Sequence, residues 1–259
     1  MLRFLVAIDH SVESVFALRA ACRLAREGRG HIVALHVLSS SSKTTDYGTG
    51  WAVHTYRREH LKIAYRDMEE VIASERETCG TQPELKVVSG KAVKEIAREA
   101  SKGPFDFLFM GSVHPLDGPH ESILPKLLHK VSCPILVLKH YRPIQRVLLC
   151  LGEGTAAESA LSQAAILLKG LQISLDLVFA GEAGKEERVQ ALFEEARTRI
   201  ASAVLEVGTR VLKESPIQGI LELAPGYDLL ILGMPHPKKP GPLNTSLLKA
   251  MPCPLMLCP

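Results

Sequence analysis

The sequence predicts an α/β fold built twice: two tandem, doubly wound parallel-sheet domains with helices on both faces of each sheet. Three observations carry this. Short apolar runs of strand length alternate with longer segments whose apolar residues recur at helical spacing. The runs are apolar at nearly every position, the pattern of strands covered on both faces, as parallel strands are. The order of elements also recurs: residues 4–18 are echoed by 147–161, 106–112 by 228–234 and 132–138 by 252–258. Three matched segments in one order point to two copies of one domain, 1–142 and 143–259. Each copy is long enough to bury a core of its own.

In the first copy, residues 3–9 form an apolar run too short for a helix. Ser11 then caps a helix carrying Val15, Leu18, Cys22 and Leu24 on one side, which stops near Gly28 and Gly30. Residues 31–38 are a second buried strand, and 39–50, rich in Ser, Thr and Gly, are a loop. A long amphipathic helix over 52–78 turns Leu61, Ala64, Met68 and Ile72 inward. Strand 85–88, helix 91–102, strand 105–110, helix 122–131 and strand 134–139 complete the copy. The linker, about 141–145, contains Pro143 and is short enough to keep the copies together.

The second copy runs through strand 146–151, a helix opened by the capping box of Thr155 and Glu158, and strand 174–180. A helix over 185–204 with Val189, Leu192, Phe193, Ala196 and Ile200 on its apolar face follows. Strand 209–213, helix 216–224, strand 228–232, helix 243–250 and strand 254–258 end it.

Composition narrows the function classes. Charged residues make up 23% and the net charge is +3, with no basic run, so no nucleic-acid partner is expected. No apolar run reaches the roughly 18 residues of a membrane span. The chain enters its first strand without a signal-peptide pattern, which suggests a cytoplasmic protein. Its six cysteines include no Cys-x-x-Cys pair, and the expectation is reduced, largely buried thiols. There is no Gly-x-Ser-x-Gly elbow, no Cys–His pairing and no Walker loop, so no enzyme activity is expected. His114, Asp117, His120, Glu121 and His129 surround one loop, but their spacing matches no zinc pattern.

Ligands of an open parallel sheet settle outside the carboxyl ends of its strands, where the winding reverses. In copy one that rule points to Asp9 and His10, to His36 and Val37, and to Met110, Gly111 and Ser112. A carboxylate directly after a buried strand needs a partner or water, so Asp9 serves either ligand hydroxyls or the following helix as a cap. Gly111-Ser112 at a strand end offers backbone N–H groups to an anion.

These residues carry a resemblance. Ala-Ile-Asp-His-Ser at 7–11, Leu-His-Val at 35–37, and Met-Gly-Ser at 110–112 followed by Ser-Cys-Pro-Ile-Leu-Val-Leu at 132–138 resemble the universal stress protein family. The likeness extends over both copies. It implies five-stranded parallel sheets, domains paired through their last strands (134–139 with 254–258), a further homodimer, and a role in stress response. ATP-binding members imply an adenine held by backbone at Val37, a ribose at Asp9, and phosphates in a glycine loop to which Gly111 and Ser122 correspond.

Within that loop His114 and Glu121 stand where the family has glycines, and the loop is three residues short. A carboxylate about 4 Å from a polyphosphate repels it by several kcal/mol even with surface-like screening. In copy two Gly152 replaces the aspartate, and Pro235, Pro237 and Pro240 remove N–H donors from the loop between Gly233 and Gly241. The resemblance therefore implies ATP in the first domain only, with the second as a built-in pseudo-dimer partner. The rival expectation is a nucleotide-independent interaction module that regulates a transporter or kinase, with Tyr47 and Trp51 as its partner surface.

Overall fold

The computed structural model describes residues 1–28, 30–39, 51–80, 82–112, 123–152, 155–180, 186–201, 204–212, 216–234 and 250–259. By packing, the chain divides into Met1–Val131 and Ser132–Pro259. Among the described residues no helix is long and apolar enough to cross a membrane.

The first unit holds β1 (Arg3–Ile8), α1 (Val12–Gly28), β2 (His31–Ser39), α2 (Trp51–Ser74), α3 (Arg76–Cys79), β3 (Glu84–Gly90), α4 (Ala92–Ser101), β4 (Phe107–Gly111) and α5 (Ile123–Leu128). Its strands lie in the order β3-β2-β1-β4, all parallel. From β1 the chain winds outward to β2 and β3, then returns to place β4 on the other flank of β1. Phe4 lies between Phe107 and Phe109, with ring centroids 6.0 and 5.2 Å away, and all three rings are buried. Each such burial stabilises by about 1.5–3 kcal/mol. Ala64, Met68 and Ile72 of α2 are buried at the expected spacing.

Two findings in this unit differ from expectation. The long helix breaks at Glu75, where the Ser74 hydroxyl donates to the Val71 carbonyl (2.7 Å). The break turns Glu75 inward to take two hydrogen bonds from the Arg19 guanidinium, the Nε one at 2.7 Å. Immediately beyond, Cys79 of α3 forms a disulfide with Cys22 of α1. The expectation of reduced thiols is thereby corrected for this pair: both cysteines lie on buried helix faces that packing brings together across 57 residues of chain. Cys133, Cys150, Cys253 and Cys258 are buried and take no part in a disulfide.

The second unit holds β5 (Ile135–Leu138), β6 (Arg146–Leu151), α6 (Thr155–Leu168), β7 (Ile173–Ala180), α7 (Glu186–Ile200), β8 (Val204–Leu212), α8 (Pro216–Leu223), β9 (Leu229–Gly233) and β10 (Leu255–Cys258). Strands β10-β9-β6-β7-β8 are parallel and in that order. β5 runs antiparallel to β10, with Leu255 opposite Val137 and Leu257 opposite Ile135. Packing thus groups β5 with the second unit, while the sequence repeat counts it in the first copy. α7 ends at Ile200, and β8 begins at Val204 where the sequence suggested a strand only from 209. β8 is half exposed on both faces, so its alternation is faint, and Leu205 is an extra residue bulged between Val204, opposite Ile173, and Glu206, opposite Ser174. The helix expected over 243–250 falls, but for Ala250, outside the described residues.

Candidate functional site

Parallel pairing puts the carboxyl ends of β1, β2 and β4 on one edge: Ile8 lies opposite His36, and Ala7 opposite Met110. Asp9, Val37 and Gly111 follow at that edge, and the winding reverses between β1 and β4. Asp9 and Gly111 are further joined by a common neighbour, the first turn of α1.

Asp9 is exposed, with its carboxylate turned back on the helix start. Its Oδ1 accepts from the Ser11 N–H (2.9 Å) and from the Ser11 hydroxyl. Ser11 in turn caps α1 by accepting from the Ser14 N–H (3.2 Å). The Ser14 hydroxyl accepts from the Asp9 N–H (3.1 Å) and donates to the Asp9 carbonyl (2.8 Å). Partial burial opposes charge on Asp9, but the Ser11 and Ser14 bonds and nearby His36 outweigh it and hold the carboxyl below its ordinary range. The group is therefore ionised at neutral pH. Both Ser11 bonds fall on Oδ1, and among the described residues no hydrogen bond falls on Oδ2.

Gly111 presses on the same turn from β4. A Cβ added there would lie 2.6 Å from the Glu13 carbonyl carbon and 2.7 Å from the Ser14 nitrogen. Close helix packing alone thus demands glycine at this position. Gly233 of the second copy is constrained alike, since an added Cβ would collide with the Ala156 carbonyl. On the other flank His36 is buried, with Nδ1 2.9 Å from the Ile8 carbonyl oxygen, and its ring meets that of His10 edge-on at 5.9 Å. Val37 is half-buried on β2, Met110 is in the core, and Ser112 is half-buried after β4. Ser122 lies outside the described residues, as do His114, Asp117, His120 and Glu121.

Sequence reasoning missed Ser14, which clamps both backbone groups of Asp9; its signal was its place three residues after the cap. It also missed a cavity of 270 Å³ in the second copy, at the carboxyl ends of β6 and β7. Leu161, Phe179 and Leu192 supply apolar wall, and Glu158, Arg188 and Glu195 supply charge, beside Gly152 where copy one has Asp9. Its walls come from α6, β7, α7 and the residue after β6, so no local pattern announces it.

A model of the universal stress protein family matches residues 1–139. The chain belongs to that family. Universal stress protein YxiE of Bacillus subtilis (strain 168) is 31% identical over 151 residues, covering 53% of this chain and 98% of the relative. A solved universal stress protein from Archaeoglobus fulgidus DSM 4304 superposes with TM-score 0.74 at 19% identity, over 99% of this chain and 95% of that one. A second, from Pseudomonas aeruginosa UCBPP-PA14, gives TM-score 0.61 at 14% identity, over 99% and 92%. At those identities the two structures speak for the fold, and they cover both copies. The universal stress protein described here is thus a tandem one.

Proposed function

We propose that this tandem universal stress protein is a non-enzymatic, cytoplasmic regulator whose first domain takes an adenine nucleotide, ATP, at the edge formed by Asp9, Val37 and Gly111. The observation that carries the reading is the ionised Asp9 carboxylate at the β1–β4 reversal, with one oxygen committed to the helix cap and the other without a hydrogen bond among the described residues, where it would meet ribose hydroxyls. Backbone at Val37 would meet the base, and backbone at Gly111 and Ser112 would face the phosphates. The second domain, with Gly152 in place of the carboxylate, acts as a built-in partner. The antiparallel register of β5 on β10 supports such strand-to-strand pairing.

The test is direct. Denatured, freshly purified protein should release ATP or AMP detectable by mass spectrometry, and magnesium-ATP should raise Tm. Ligand at a hundredfold excess over Kd stabilises by about 2.7 kcal/mol, and Asp9→Ala should abolish most of that shift. One observation favours the interaction-module reading: Tyr56 and Ile63, two turns apart on one side of α2, are exposed by 38% and 56%, an apolar pair suited to a transporter or kinase partner. Absence of co-purified nucleotide together with an unchanged Tm in millimolar ATP would select it.

A further inference from the structure

We propose that β8 is a homodimerisation edge, pairing antiparallel with β8 of a second copy across a twofold axis through Gly208. Among the described residues β8 is the outer strand of its sheet and pairs on one side only, with β7. Such an edge is a template for another strand, and what it selects depends on its side chains. Read about Gly208, the sequence Val-Leu-Glu-Val-Gly-Thr-Arg-Val-Leu is self-complementary. Antiparallel pairing in that register sets Glu206 opposite Arg210 of the second copy, and Arg210 opposite its Glu206. Val207 meets Thr209, and the regular ladder ends beyond Glu206 at the bulge of Leu205.

Three observations support this register. Glu206 and Arg210 make no ion pair with each other or with any other described residue. Four steps along the strand separate them by about 13 Å, too far for contact within one chain. Opposite-charge pairs directly across a ladder stabilise it, and like charges there destabilise it. Next, Leu205 and Val211, which flank the charges symmetrically, are 70% and 39% exposed. Last, the residue on the axis is a glycine, so the position that would face itself carries no side chain. Its identity has its own cause in this chain, because Asp176 on β7 fills the space a Cβ would need.

The bulge at Leu205 lies outside the regular stretch 206–210 that carries the charges. β3, the outer strand of the first unit, offers no equivalent. Pro83 precedes it, and its Lys86 ammonium is already held by Glu84 (3.3 Å) and Glu99 (2.9 Å).

Sedimentation velocity on the full chain tests the proposal over about 1 to 200 µM, the range of a small, weak contact. The wild-type chain should move from monomer to dimer and should dissociate as salt screens the charges. Glu206→Arg alone, and Arg210→Glu alone, should each weaken association about tenfold or more, because each places like charges opposite twice over. An equimolar mixture of the two variants should dimerise again, since every cross-strand pair is then of opposite sign. Recovery in the mixture also shows that both variants are folded. A wild-type chain that stays monomeric, an assembly that grows past the dimer, or a dimer indifferent to the charge changes would each overturn the proposal.

Discussion

Breaking the Cys22–Cys79 cross-link should cost the first unit about 4 kcal/mol. The bond closes a chain segment with a sequence separation of 57. Loop-closure entropy for that length is about 14 cal/mol/K, or about 4 kcal/mol at 25 °C. Both sulfurs are buried, so reduction leaves two well-packed thiols and the effect falls mainly on the unfolded chain. For a unit of this size such a loss lowers Tm by roughly 12–20 °C. The assay compares the oxidised protein with protein reduced in denaturant, refolded in reductant and melted in reductant. Alkylation of the denatured, unreduced chain should modify four of the six cysteines. Modification of all six would refute the cross-link itself. Oxidised and reduced forms melting within about 2 °C of each other would refute the loop-closure reasoning.

Other perturbations follow from single contacts. Gly111→Ala forces a methyl against the Glu13 and Ser14 backbone and should cost about 1–3 kcal/mol in urea unfolding; an unchanged midpoint would contradict that packing. Arg19→Met strands Glu75, whose side chain is 4% exposed, and should cost about 3–5 kcal/mol, whereas the double change with Glu75→Leu should recover most of it. Tyr227 donates to Asp176, and burial first, then that bond, pushes its phenol from 10.0 up to about 12. A raised pKa gives stability that is complete below the unfolded value and drains away as pH climbs through the folded one. The wild-type urea midpoint should therefore fall between those two values more steeply than that of Tyr227→Phe, and parallel curves would refute the assignment.

Much of the fold was legible because strands buried on both faces leave an unmistakable apolar run, and β1, β4, β6 and β9 all do. The Ser11 cap and the inward face of α2 were legible for the same reason: each depends on residues within a turn or two of one another. β8 was half lost because an edge strand exposes both faces and dilutes its own period. The break at Glu75 and the disulfide were invisible, since each needs a partner on α1 more than fifty residues away. At the candidate site, Asp9 was singled out by its place after a buried strand. Gly111 was found for a reason that needs amending: the packing of α1 against β4 already demands a glycine, so its presence says little about phosphate.

The cross-link and the Arg19–Glu75 pair have a consequence for how the first unit could communicate. Both fasten the middle of α1 to the segment after α2, and the opposite end of α1 is the turn that receives Asp9 and Gly111. A rod pinned at its midpoint and wedged at its tip transmits little displacement. Whatever occupies that edge would have to be reported by surfaces other than α1, which makes the exposed outer face of α2 the first place to look for a responding partner.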